Sequence, residues 1–265
     1  MLALAVHAPF AVCRTFTAGW FRPTATFLTP SAAYGLVLNL AGVESRLREE
    51  HPAHPGTVPA SVTKPGLPTV RLALGVLTTD RKGTPLSFDE AFPRVATVYQ
   101  QLHNYPVGKG NKVDDPDNPG TKVYQGELAD RRAKGGKSNI TPVRRELLVG
   151  LRAAVVLDGN PELEAAVRST LTHGPTADRY GLPFLGDNSF LPDRIDPLSA
   201  VPDAYWFETL SRDESGLRPR TTRLTTWVDR AELSRTVSHL FAPAGTSSVD
   251  IPSAAWVTLP AALPE

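Results

Sequence analysis

The chain has 265 residues, 41% of them hydrophobic and 21% charged, with a formal net charge of +1 and one cysteine. That length buries a good core in one large domain or two small ones. A lone Cys13 excludes an internal disulfide, which disfavours a disulfide-dependent secreted domain and leads us to expect a cytoplasmic setting.

No apolar run approaches the ~20 residues of a membrane helix. The first residues lack the cationic region of a signal peptide. The chain has no CxxC pair, no HExxH and no carboxylate–His cluster, so no metal or other cofactor is expected. Proline is the compositional outlier. Its 25 residues are about twice average usage, which predicts many connections, since proline ends helices and avoids central strands.

Residues 2–7 alternate, with Leu2, Leu4 and Val6 on one side of a half-buried strand. A polar and aromatic connection follows (AVCRTFTAGWFRPTATFLTP). Ser31, after Pro30, is expected to cap a helix with Ala33, Leu36, Val37 and Leu40 at helical spacing, ended by Gly42. Residues 44–68 read as an exposed loop, 69–77 as a second strand, 78–94 as turn and loop, and 96–105 as strand.

Residues 106–142 are mostly turn formers; a stretch of that length inside a compact domain is usually functional or mobile. RELLVGLRAAVVL (145–157) reads as a central strand. Asn160 is placed to cap a helix with Pro161 at its first position and Leu163, Ala166, Val167 and Leu171 on its apolar face. Residues 179–196 read as extended. AYWFETL, LTTWVD and AAWVTL suggest short strands, and 232–241 a short helix.

The order up to residue 191 is therefore β, α, β, a long insertion, β, α, β. This predicts an α+β, ferredoxin-like domain over 1–195, interrupted at about 96–143, with a small β-rich region at 196–265. The same sheet underlies RRM-type RNA binding, but the order alone does not fix a function.

Charge is the most local feature. Residues 131–145 hold Arg131, Arg132, Lys134, Lys137, Arg144 and Arg145 and no acid. Such a block repels itself unless water or a polyanion screens it. The first 43 residues carry Arg14 and Arg22 and no acid, with Trp20, Phe21 and Phe27 close by. Arginine beside an aromatic suits single-stranded nucleic acid, where the fork takes phosphate and a base stacks. The plainer alternatives are a solvated loop and aromatics buried under the sheet. From Arg212 to Arg235, arginines mix with acids, which suggests a solvated or protein-facing surface.

Several of these segments resemble the Cas-five family of the RAMP superfamily, subunits of type I CRISPR Cascade complexes. LALAVHAPFAVCRTF resembles the family's first strand and the Arg-bearing loop behind it. RPTATFLTPSAAYGLVLNLAGVE resembles the start of its first helix. NITPVRRELLVGL resembles the return strand after its protruding β-hairpin thumb, and RYGLPFLGDNSF its final Leu-Gly strand. The likeness covers roughly residues 1–195.

The resemblance implies a non-catalytic subunit in antiviral defence. It would hold the 5′ handle of the CRISPR RNA and bridge the large subunit and the backbone filament, touching target DNA only indirectly. The implied RNA-binding residues are Arg14, Arg22, Ser31, Lys109, Lys112, Arg131, Arg132, Lys134, Lys137, Asn139, Arg144, Arg145 and Gly186. The acids Asp114, Asp115 and Asp117 would keep the thumb tip off phosphate. In one subtype the family member is itself a metal-independent endoribonuclease that processes precursor crRNA. Here His103, Tyr105 and Lys109 would be the candidates for that role, although the chain lacks an adjacent Lys-His pair. A general single-stranded RNA-binding protein is the remaining alternative.

Overall fold

The structure, a computed structural model, describes residues 1–15, 21–46, 63–106, 112–124, 138–175, 181–187, 189–211, 218–229 and 235–261; side chains of 100–106, 112, 124 and 138–142 lie outside the description. It is an α+β arrangement, a mostly antiparallel sheet with few helices. In chain order the elements are β1 (Leu2–Ala11), α1 (Pro30–Leu40), β2 (Val70–Leu77), α2 (Phe88–Ala91), β3 (Arg94–Pro106), β4 (Lys112–Asp114), β5 (Lys122–Tyr124) and β6 (Ser138–Asp158). Then come α3 (Pro161–His173), β7 (Arg194–Leu198), β8 (Ala204–Thr209), β9 (Thr222–Trp227), β10 (Val237–Pro243), a 3-10 turn (Ser253–Ala255) and β11 (Trp256–Leu259).

The described strands form a nine-stranded sheet in the order β7-β1-β6-β2-β8-β10-β9, with β11 also on β2 and β3 on β6. β1 lies antiparallel to β6 on one side (Leu4 opposite Val155) and to β7 on the other (Leu4 opposite Pro197). β6 covers one edge of β2; the other edge is shared by β11 at residues 70–73 and β8 at 75–77.

Alternation along β1 builds two cores. Leu2, Leu4, Val6 and Ala8 face α1 (Ala33, Leu36, Val37, Leu40) and α3 (Leu163, Val167). Ala3 and Ala5 face the other way, into a smaller core with Ala154, Val156 and the fully buried Trp206. Gly75 lies opposite Trp206, and a Cβ there would come within 2.9 Å of the indole, so the sheet needs glycine at that point.

Thr29, not Ser31, caps α1: its hydroxyl accepts from Ala32 N at 3.2 Å, because Pro30 already occupies the first helical position. Asn160 caps α3 as expected, accepting from Leu163 N at 3.0 Å. The span expected to be helical at 232–241 is partly β10, whose Phe241 is buried and paired with Thr209 and Thr222. Sheet pairing overrides helical spacing there. Among the described residues of the span 179–196, bends and irregular backbone come first and strand begins at Arg194.

The chain divides into two compact units. The first is Met1–Phe16, Pro23–Ala96 and Glu146–Glu265; the second is Thr17–Arg22 and Thr97–Arg145. The C-terminal strands β8 to β11 belong to the first unit and extend its sheet.

Candidate nucleic-acid interface

In the first unit, the chain leaving β1 turns back along itself. Cys13 N donates to Thr24 Oγ1 at 3.0 Å, and Ala25 N donates to Cys13 O at 2.7 Å. Thr24 N in turn donates to Glu146 Oε2 at 3.2 Å, tying this return to β6. Buried polar groups must be paired in this way to be tolerated. The Cys13 thiol is fully packed, and burial pushes its pKa up to about 11, so it is not a reactive nucleophile near neutral pH.

The turn before β7 docks on the same segment. Leu185 O accepts from Val12 N at 3.4 Å. Gly186 has φ +72°, and a Cβ there would overlap the Val12 carbonyl oxygen and lie 3.2 Å from Cys13 Cα. Only glycine passes at this conformation and distance.

Next to it, Asp187 accepts from Arg14 Nη2 at 2.7 Å and, through its other oxygen, from Ser189 N at 2.9 Å. The Asp187 side chain is 3% exposed and that of Arg14 59%. A buried carboxylate therefore holds one side of the guanidinium fork while much of the side chain faces solvent. That arrangement orients a cation for an anionic oxygen arriving from outside.

In the second unit, Arg22 N donates to Arg144 O at 3.0 Å, and Arg22 bridges Arg145 in parallel. Strand alternation turns Val143 and Arg145 inward, at 2% and 4% exposure, and Arg144 outward. Arg144 lies over the exposed Phe21 ring, 4.7 Å from its centroid. Phe21 and Arg144 are thus surface groups, whereas Arg145 is interior.

Around the β4–β5 hairpin, Asp114 is exposed but Asp115 is 4% exposed. The Asp115 carboxylate accepts from Asp117 N at 3.0 Å and shapes the turn.

Ser31 sits inside the first turn of α1, 3.2 Å from the Thr29 hydroxyl. Lys112 opens β4 and Asn139 lies on β6, with side chains outside the description. Lys109, Arg131, Arg132, Lys134 and Lys137 lie outside the described residues altogether. His103 and Tyr105 lie on β3, their side chains likewise undescribed. Among the described residues no three His, Cys, Asp or Glu side chains gather as a metal site would require. Reading the sequence alone missed Thr24, Glu146 and Asp187. Their partners are 11 to 173 residues away, and no local pattern marks such pairs.

No protein-family model matches the chain, and no curated protein matches it. Among solved structures, a chain of a "CRISPR RNA-guided surveillance complex" matches with a TM-score of 0.45 and 13% identity, covering 96% of this chain and 92% of that one. This is a distant likeness, below the level at which a shared fold is established.

Proposed function

We propose that this protein is a non-catalytic RNA-binding subunit of a type I CRISPR effector complex. In it, the chain holds the crRNA 5′ handle and bridges the large subunit and the backbone filament. The observation that carries the reading is the strand order β7-β1-β6-β2, with α1 and α3 on one face and a basic excursion between β2 and β6. That order supports the reading of a split β-α-β, ferredoxin-like domain. The excursion leaves along β3, returns along β6 and contains the run 131–145. Where the resembling sequence segments can be followed in the first unit, they pack together: Val12 on Leu185, Arg14 on Asp187, Thr24 on Glu146.

Phosphate recognition falls to Arg14, set by Asp187, and to the cations of the excursion. Binding by such groups weakens with salt, by a little under one log unit of affinity per log unit of salt for each phosphate neutralised. The test is binding of the full chain to a labelled repeat-derived RNA, with and without the handle, at several salt concentrations in EDTA. Handle-dependent, salt-sensitive binding with the RNA left intact is expected. A discrete cut in EDTA would overturn the non-catalytic reading in favour of precursor processing through His103, Tyr105 or Lys109. Binding indifferent to the handle would favour a general single-stranded RNA binder.

A further inference from the structure

Three aromatic-stacked arginines stand out among the described residues, and they differ in what holds their charge. Arg71 lies 4.9 Å from the Trp256 ring centroid and is ion-paired to Asp158. Arg220 lies 4.5 Å from the Phe92 centroid and is ion-paired to Asp89 at 2.7 Å. In both, a carboxylate already takes guanidinium donors, and the stack reads as surface structure.

Arg144 is different. It lies 4.7 Å from the Phe21 centroid, and no carboxylate among the described residues pairs with it. Phe21 is 40% exposed and Arg144 is exposed as well. The hydrogen bond from Arg22 N to Arg144 O, at 3.0 Å, fixes the segment that carries Phe21 against β6, which carries Arg144. The result is a planar cation on a planar ring, open to solvent, with its N–H donors uncommitted to any acid among the described residues.

We propose that Phe21 and Arg144 form a stacking platform for an unpaired nucleobase of bound RNA, with the Arg144 donors meeting the phosphate or base edge beside it. The chemistry is that of single-strand recognition: a base presents a π-face that stacks on an aromatic ring or a guanidinium plane, whatever its identity. The inference rests on the RNA-binding reading above but adds something that reading does not require. It makes affinity depend on a base as well as on phosphates, and it gives Phe21 a ligand.

The test uses the full chain and a short single-stranded RNA, in two versions differing by one abasic site scanned along the strand. For the unaltered chain, one abasic position should weaken binding roughly five- to a hundredfold, the worth of one stacked base. Phe21→Ala should lose a similar factor on the intact RNA, lose no more on the abasic one, and keep the salt slope, since no phosphate contact is removed. Phe21→Trp should restore the loss, which separates stacking from a folding defect. If Phe21→Ala binds intact RNA as tightly as the unaltered chain, or no abasic position matters, the platform is overturned while the RNA-binding reading stands. If the unaltered chain binds no RNA, both fall.

Discussion

At the scale of single residues, the two arginines next to each other at the end of the basic run make opposite demands. Arg144 faces solvent over Phe21 and Arg145 is buried. Arg144→Ala should therefore leave the urea midpoint nearly unchanged, whereas Arg145→Ala should lower it, because burying a charged group commits its neighbours to satisfying it. Gly186 makes a sharper case. Gly186→Ala forces a side chain into a left-handed conformation and against the Val12 backbone. A loss of at least about 1–3 kcal/mol is expected in chemical denaturation.

None of these three assignments was available from composition or spacing. Charge counting treats Arg144 and Arg145 alike, and only their pairing on β6 tells them apart. Gly186 resembled a weak phosphate loop; its steric reason lies at Val12 and Cys13, just past β1 and more than 170 residues away. By contrast the Asn160 cap was legible, because its partner is three residues along the chain.

At the scale of elements, β1, α1, β2 and α3 were readable because apolar residues recur at each one's own period, although β1 and β2, read as half-buried from alternation, bury both faces. β10 was not, since its assignment depends on pairing with β8 and β9. Pairing also sets a titration. His7 lies between Arg152 of β6 and Arg194 of β7 in the same cross-strand row. Burial first, and then the charge of Arg81, hold its imidazole below the ordinary value; Asp196 works the other way, and Arg194 and Arg152 add to the lowering. The folded chain therefore binds fewer protons here than the unfolded chain. Stability should be complete well above the ordinary imidazole pKa near 6.5 and fall as pH drops through it towards the folded value. Thermal melts at pH 7.5 and 5.5 should show a smaller acid shift in His7→Asn than in the unaltered chain; an equal shift would remove His7 as its source.

At the scale of the whole molecule, the net charge of +1 gives no general attraction for a polyanion. Under the RNA-binding reading proposed above, affinity has to come from where the cations are. Replacing Lys134, Lys137 and Arg144 together with Ala should flatten the slope of log affinity against log salt by up to roughly 2, at about 0.7 per single-strand phosphate contact. An unchanged slope in a salt titration would remove these side chains from the interface. The same triple change should not alter the melting temperature of the first unit, which contains none of the three.

The Arg14–Asp187 ion pair joins positions 173 residues apart. Contacts of such separation are slow to form, because a long loop must close before they stabilise anything. During synthesis the N-terminal strand and its arginine emerge long before the carboxylate that orients the fork. The Arg14 fork thus gains its orienting partner only once residue 187 has been made. Under the RNA-binding reading proposed above, a shorter nascent chain would offer an unoriented cation, and selectivity would arrive with the segment that carries Gly186 and Asp187.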